Sequence, residues 1–227
     1  MLELPDVTLF SIYTIAHELH VKALQDCLSR VKFGSVKLFT DKVIGPEEKF
    51  VTEITASTNL SHFHNWEFPE HIQTSHVLAF QWDAWVTTPS MWTDEFLQYD
   101  YIGAPWWYQD GLNVGNSGFC LRSKKLIDFL ADHRDDFPII HPEDETLCRH
   151  YRKFLPQFKW ANDETAFRFS FERVHPNHGS FGFHGVFNWP FVLTNEQIKQ
   201  RLIDVPEWIT NKSEYTELQS LMLTRDS

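Results

Sequence analysis

The first 41 residues constrain the fold most, because two strand-like apolar runs flank a helical pattern there. Residues 7–13 (VTLFSIY) are apolar and rich in β-branched side chains, which is typical of a buried strand. Apolar residues recur at helical spacing from about Ala16 to Val31, and Val36 to Thr40 indicates a second strand. A strand, a helix and a strand at this spacing form a βαβ unit, which requires a parallel sheet with helices on its faces. We therefore predict an α/β fold with an open, mainly parallel sheet.

The edge of this sheet is the expected binding region, since open α/β sheets bind ligands beyond the carboxyl ends of their strands. Tyr13 and Thr14 end the first strand, and Asp41 follows the second. The run from His76 to Val86 predicts a third strand, and Asp83 lies near its end. A carboxylate at that place favours Mg²⁺ or Mn²⁺, because hard cations prefer oxygen ligands. A helix cap or a surface turn is the alternative.

The later part of the chain predicts a continuous succession of helices and strands. Helices are expected at 89–98, at 124–133, after Pro142 and at 161–172; strands at 101–107 and within 115–123; and a loop or strand at 181–185. Two amphipathic helices are expected from Thr194, and residues 42–72 show no clear pattern. Because no linker interrupts the chain, we expect one domain over residues 1–227, with the C-terminal helices packed on it.

Composition limits the partners of the chain. Of its 227 residues, 42% are hydrophobic, enough for one sizeable core. The 31 acidic residues outnumber the 20 basic ones, giving a formal net charge of −11, and the basic residues form no stripe. This argues against a nucleic-acid partner, which leaves a concentrated positive footprint. An acidic protein that binds a phosphorylated ligand needs a divalent cation to offset the repulsion.

The redox and membrane signals indicate a protein of the cytoplasm. The three cysteines are far apart and show no CxxC spacing, so neither a disulfide framework nor a structural zinc site is expected. The N-terminus lacks the basic start and apolar run of a signal peptide. No apolar run reaches the roughly 18 residues that a membrane-spanning helix needs. We expect a cytoplasmic protein without a transmembrane segment.

A glycine-bearing segment offers polar groups that could bind a ligand. Gly115–Gly118 holds Asn116 between glycines, which lets the backbone approach a ligand or makes an ordinary hairpin turn. Arg122 follows in the next predicted strand. Its guanidinium could pair with a phosphate or with a nearby carboxylate.

Two further groups of residues could take part in chemistry. Glu143 and Asp144 follow a proline at a predicted helix start, where the spacing favours a capping role and a general base is the alternative. His184 lies in the segment FGFHG, where its imidazole could complete a metal site. The alternative is a buried histidine that is simply hydrogen-bonded.

Five segments in this order carry a resemblance to a known family: HVLAFQWDAWV, YDYIGAPWW, VGNSGFCLRS, PEDETLCR and FGFHG. The chain from about Val7 to His184 resembles an uncharacterised family of mostly bacterial proteins assigned to the glycosyltransferases, with a GT-A-like fold. The resemblance implies a GT-A-like, Rossmann-like open mixed sheet flanked by helices. It also implies sugar transfer from a nucleotide-diphosphate sugar to a carbohydrate or other hydroxyl acceptor.

The resemblance assigns roles to the candidate residues. GT-A enzymes place an Asp-x-Asp motif at a strand end to hold a metal on the nucleotide diphosphate, and here the segment is Gln81-Trp82-Asp83, which keeps only the second acid. Asp83 and His184 would then hold Mn²⁺ or Mg²⁺, and Asp144 with its neighbour Glu143 would deprotonate the acceptor in an inverting enzyme or orient the sugar in a retaining one. The expected donor-binding residues are Tyr13, Thr14, Asp41, Gln81, Asp83, Asn116 and Arg122. Apolar walls are expected from Trp82, Trp106 and Trp107.

Two other functions compete with this interpretation. A sugar-phosphate nucleotidyltransferase would carry a glycine-rich basic loop after the first strand, where this chain has Tyr13-Thr14-Ile15-Ala16-His17. A carbohydrate-binding or assembly protein that has lost catalysis is the second alternative. The glutamine in place of the first acid of Asp-x-Asp is its main support.

Overall fold

A computed structural model describes most of the chain. The described residues are 1–53, 67–108, 110–138, 140–176, 178–210 and 212–225. The strands are β1 (Leu2–Tyr13), β2 (Val31–Thr40), β3 (Val51–Glu53), β4 (His76–Phe80), β5 (Trp85–Val86), β6 (Tyr101–Ile102), β7 (Phe119–Ser123), β8 (Ser170–Phe171) and β9 (Gly182–Phe183). The helices are α1 (His17–Leu28), α2 (Lys124–Asp132), α3 (Glu143–Glu145), α4 (Asp163–Phe169), α5 (Trp189–Val192), α6 (Asn195–Leu202), α7 (Glu207–Thr210) and α8 (Ser213–Arg225).

The main sheet has six strands in the order β3-β2-β1-β4-β7-β6. Its first four strands are parallel, and β7 runs antiparallel to both β4 and β6. The predicted βαβ unit is confirmed, with Leu9 paired to Val36 in parallel register. Because Val31 already pairs with Leu2, the second strand starts earlier and the helix ends earlier than the sequence pattern indicates. The predicted fold class, a mixed and mainly parallel α/β sheet, is confirmed.

The two faces of this sheet carry separate apolar clusters. Side chains alternate between faces along a strand, so Leu9 packs on one face while Phe10 packs on the other. Helix α1 covers the first face with Leu19, and α2 covers the second with Leu126. Leu218, from helix α8, lies in the first cluster. None of the helices in the described part of the chain is both long and apolar enough to cross a membrane.

A second, smaller sheet has the order β5-β9-β8 and corrects two predictions. The single strand expected over 76–86 is wrong, because the chain leaves the main sheet after Phe80 and turns, with the Ala84 amide donating to the carbonyl of Gln81 at 3.1 Å. Apolar character resumes in β5, but this strand belongs to the second sheet. The helix expected over 161–172 covers only α4, since β8 takes the next two residues into that sheet.

Several other boundaries differ from the patterns. The strand expected at 101–107 is limited to β6, with an isolated bridge between Pro105 and Val114. The helix expected at 89–98 is two 3₁₀ turns, Pro89–Met91 and Asp94–Gln98. The helix after Pro142 begins as α3, continues as a π-helix over Thr146–Tyr151 and ends as a 3₁₀ turn over Arg152–Phe154. Three described helices, α6 to α8, follow residue 194 where two were predicted.

Candidate active site

The second sheet brings three ionisable residues together. Strand β5 pairs antiparallel with β9, and the Gly185 amide extends this pairing by donating to the Asp83 carbonyl at 3.2 Å. Strand β8 pairs parallel with β9, and the His184 amide donates to the carbonyl of Phe171 at 3.0 Å. Asp83 and Glu172 therefore lie next to the ends of the strands on either side of His184. The backbone pairing of these three short strands therefore brings Asp83, Glu172 and His184 together.

The imidazole of His184 lies between two carboxylates. Its Nε2 atom is 3.5 Å from Asp83 Oδ1 and 3.3 Å from Gln81 Oε1. Its Nδ1 atom is 3.0 Å from Glu172 Oε1 and also 3.0 Å from Asn116 Nδ2. The ring thus separates an Asp83–Gln81 side from a Glu172–Asn116 side.

Electrostatics follow from this arrangement. Burial alone would lower the pKa of His184, but Asp83 and Glu172 outweigh it and raise the pKa to about 9. Burial raises the pKa of Asp83, although His184 opposes that shift. Burial alone would also raise the pKa of Glu172, but hydrogen bonds from His184 and Asn116 outweigh it and lower that pKa below its usual range. In the cation-free protein His184 is therefore an imidazolium near neutral pH.

The glycine-bearing turn holds the second pair of predicted residues. Asn116 adopts a left-handed backbone (φ 66), a conformation that asparagine tolerates better than most residues. The next residue, Ser117, donates from its hydroxyl to Glu143 Oε1 at 2.7 Å and from its backbone amide to Asp144 Oδ2 at 3.2 Å. Asp144 Oδ1 also accepts from the Glu145 amide at 2.8 Å. Burial, with the neighbouring Glu143, raises the pKa of Asp144.

A cavity of about 490 Å³ opens beside these groups. Its polar lining includes Gln81, Asp83, Ser117, Glu143, Glu172 and His184. Phe10, Ile12 and Phe187 contribute apolar surface, and Arg173 and Lys212 bring positive charge. Glu214, at the start of α8, also lines the cavity and pairs with Arg173 at 3.2 Å. The cavity thus joins hard oxygen donors, a histidine, cations and apolar walls, a combination suited to a phosphorylated ligand with a flat apolar part.

The structure gathers only some of the predicted donor-binding residues. Gln81 and Asp83 line the cavity, and Asn116 reaches it through His184. Tyr13 and Thr14 are not among its lining residues. Tyr13 is buried and stacks on the ring of His20, with centroids 4.0 Å apart.

Asp41 and Arg122 lie in other surroundings. The Asp41 carboxylate is 2.9 Å from Nε2 of His17, on the first helix. Arg122 is 1% exposed, donates from Nε to the sulfur of Cys120 and stacks on Tyr101. Neither side chain lines the cavity. Arg122 lies within β7, and both side chains are engaged by the partners just named.

The three predicted tryptophan walls lie in different places. Trp82 lines the cavity. Trp106 covers Gly115, where any Cβ would lie 2.0 Å from its ring. Trp107 is 60% exposed and does not line the cavity.

Sequence reasoning missed Ser117, Glu172 and Arg173. Ser117 lies inside the glycine-bearing segment, but its hydroxyl shows no distinctive pattern beside the more suggestive amide of Asn116. Glu172 carried no signal of its own, because it was expected to lie in the last turn of a helix. Glu172 comes to lie beside His184 through the pairing of β8 with β9, and the sequence does not indicate that pairing.

The residues on the Nε2 side of His184 fit a divalent cation. Asp83 Oδ1 is buried and has no hydrogen-bond partner among the described residues. Cis ligands of a six-coordinate ion with bonds of about 2.1 Å lie about 3 Å apart, close to the separations of Gln81 Oε1 and Asp83 Oδ1 from Nε2. Over the described ranges no group of three His, Cys, Asp or Glu side chains is arranged for a metal. Glu172 faces the opposite ring nitrogen, and the other oxygen close to Nε2 is the amide Oε1 of Gln81.

Comparison with known proteins decides the family. Residues 42–184 match the model of a family described as "Protein of unknown function (DUF5672)". The chain belongs to the DUF5672 family. A comparison of this DUF5672 protein with curated proteins gives no significant match.

Solved glycosyltransferases share the fold of the DUF5672 protein. A glycosyltransferase involved in glycosylation of the major capsid of PBCV-1 is 12% identical with a TM-score of 0.52, and the alignment covers 96% of this chain and 98% of that one. Galactosyltransferase LgtC, solved with donor and acceptor sugar analogs, is 13% identical with a TM-score of 0.50, covering 88% and 98%. GlyE of Streptococcus pneumoniae is 13% identical with a TM-score of 0.47; the alignment covers 96% of this chain, which spans 63% of that one. The likeness to the first two structures shows a GT-A glycosyltransferase fold.

Proposed function

We propose that the protein is a glycosyltransferase that moves a sugar from a nucleotide-diphosphate sugar to a hydroxyl acceptor. The observation that carries the proposal is that Gln81 Oε1 and Asp83 Oδ1 both lie within 3.5 Å of His184 Nε2, in a cavity that Glu143 also lines. The shared fold supports it, because both structures above with TM-scores of 0.50 or more are glycosyltransferases.

A divalent cation, Mn²⁺ or Mg²⁺, is the proposed cofactor, held by Asp83, His184 and the amide oxygen of Gln81. When bound, such an ion supplies charge neutralisation for the diphosphate as it leaves. The protein's own cations add to this, since Arg173 and Lys212 line the same cavity. The carboxylates that line the cavity outnumber these two cations, so most of the neutralisation of an anionic donor would come from the divalent ion.

Glu143 is the residue placed to act as the base. It lines the cavity and accepts a hydrogen bond from Ser117, whereas the half-buried Asp144 does not line it. In an inverting transfer the acceptor oxygen bonds to the anomeric carbon, the bond from that carbon to the diphosphate breaks, and Glu143 takes the acceptor proton. The diphosphate keeps the electron pair. In a retaining transfer the same carboxylate would orient the sugar, and in both cases Asp144 holds the turn at Ser117.

The test is turnover of nucleotide sugars. A panel of them is incubated with the protein and Mn²⁺, and release of nucleoside diphosphate is measured for the wild type, Asp83→Asn and the exposed-site control Asp135→Asn. We expect turnover in the wild type and the control, and a loss of at least 100-fold in Asp83→Asn, since that change removes an anionic donor from the cation site. Equal turnover in wild type and Asp83→Asn would refute the proposal.

The same experiment distinguishes the proposed transferase from a catalytically inactive carbohydrate-binding protein. That alternative rests on the glutamine at position 81, yet its Oε1 lies 3.3 Å from His184 Nε2 and so supplies an oxygen donor at the same point. Binding of the nucleotide sugar without turnover in any variant would favour the alternative.

A further inference from the structure

Glu172 stands beside His184 in a fixed register. The parallel pairing of β8 and β9 matches Phe171 with Phe183, so the next residues of the two strands, Glu172 and His184, are neighbours. Their side chains meet at 3.0 Å, from Glu172 Oε1 to His184 Nδ1. The side chains are 15% and 17% exposed. The sugar-transfer scheme above gives this buried carboxylate no role.

The side chain of Asn188 bridges the backbones of Glu172 and His184. The Asn188 amide group donates to the carbonyl of Glu172 at 2.8 Å and to the carbonyl of His184 at 2.7 Å. Asn188 is fully buried. The separation of the two side chains is therefore set by secondary structure and by one bridging side chain.

Hydrogen-bond chemistry limits what can lie at Nδ1. The Asn116 amide is oriented by its oxygen, which accepts from the Phe119 amide at 3.2 Å, so its nitrogen faces Nδ1. That nitrogen is a donor and cannot accept a proton from the ring. The Asn116 amide also donates to Glu172, and the Glu172 carboxylate, 3.0 Å from Nδ1, is the group that can accept a hydrogen from the ring there. A histidine that ligates through Nε2 must carry its proton on Nδ1, and a carboxylate there fixes the tautomer and the ring plane.

We propose that Glu172 is a positioning residue that holds the His184 ring with the Nε2 lone pair directed at the point shared by Asp83 and Gln81. The inference rests on the proposed function in so far as that point takes a divalent cation. Glu172 touches neither the cation nor the reacting atoms; it acts through the ring.

The test measures Mn²⁺ affinity without nucleotide, by the electron paramagnetic resonance signal of free Mn²⁺. The proteins are the wild type, Glu172→Ala, Glu172→Gln, Asp83→Asn and the exposed-site control Glu70→Gln. We expect Glu172→Ala to weaken Mn²⁺ binding about 10- to 100-fold. Glu172→Gln keeps an oxygen acceptor and recovers part of that loss, and Glu70→Gln binds as the wild type does. Wild-type affinity in both Glu172 variants, with weak binding in Asp83→Asn, would overturn the inference and leave the cation site standing.

A second readout does not depend on any cation. In the cation-free wild type the Nδ1 proton of His184 should give a slowly exchanging signal in the proton NMR spectrum, because it is buried and bonded to Glu172. The signal should disappear in Glu172→Ala and remain, shifted, in Glu172→Gln. If the signal persisted in Glu172→Ala, the inference would be overturned, whether or not the protein binds Mn²⁺. A lack of Mn²⁺ binding in the wild type would instead count against the proposed function.

Discussion

Gly118 permits the ring of His184 to lie where the site needs it. A Cβ added at this glycine would be 2.2 Å from both Cδ2 and Nε2 of the imidazole. Ordinary contact begins at 3.4 Å, so in Gly118→Ala the ring or the turn must move by about 1.2 Å. The ring is held on its other side by Glu172 and Asn116, and the turn is held by Ser117, so neither can move without losing hydrogen bonds.

We expect Gly118→Ala to destabilise the protein by about 1–3 kcal/mol, the usual cost of overpacking. A displacement of this size at a catalytic group also reduces turnover about 100-fold. Urea denaturation measures the first effect, and nucleotide-sugar turnover with Mn²⁺ measures the second.

Gly179→Ala is the matched control for this substitution. Its added Cβ would meet only Met91 atoms at 3.9 Å, which is ordinary contact. Because alanine reduces the entropy of the unfolded chain, the control should be unchanged or more stable by about 0.4–1 kcal/mol. Wild-type stability and turnover in Gly118→Ala would refute the account of how the ring is seated.

Two further predictions concern the same groups. Ser117→Ala removes the 2.7 Å hydrogen bond to Glu143 and should lower the free energy of unfolding by about 1–2 kcal/mol, measured by urea denaturation. In steady-state kinetics it should lower kcat more than it weakens donor binding. An unchanged kcat would contradict this prediction. Because the pKa of His184 is raised to about 9, its ionic stabilisation is full below pH 6.5 and is lost as pH rises to 9. In EDTA, the stability advantage of the wild type over His184→Gln should therefore shrink by roughly 3 kcal/mol over that window, and a constant difference would contradict the prediction.

The sequence predicted the first βαβ unit well because the signals for it are local. The βαβ unit depends on apolar runs and on helical spacing, and both are visible in residues 7–40. The second sheet could not be predicted, because β5, β8 and β9 are two residues long and become strands only by pairing with one another. Such short runs show no periodicity, and the pairing of β5 with β9 joins residues about 100 positions apart.

The residues of the candidate site likewise divide into those that the sequence predicts and those that depend on strand pairing. Asp83 and His184 were predicted to share a cation, and the structure places them 3.5 Å apart. Glu172 was missed, since its part depends on register in a sheet that the sequence does not reveal. The sheet-edge rule placed Tyr13 and Asp41 in the donor site, but both strand ends are occupied by histidines of the first helix. A rule about where ligands bind cannot tell which strand ends are covered.

The most direct test of the central idea is anomalous diffraction from crystals soaked with Mn²⁺ and a nucleoside diphosphate. We expect one strong anomalous peak within bonding distance of Asp83 Oδ1, His184 Nε2 and Gln81 Oε1, with diphosphate oxygens completing the coordination of the ion. A nucleoside diphosphate bound with no peak among these atoms, or a peak elsewhere in the cavity, would contradict it.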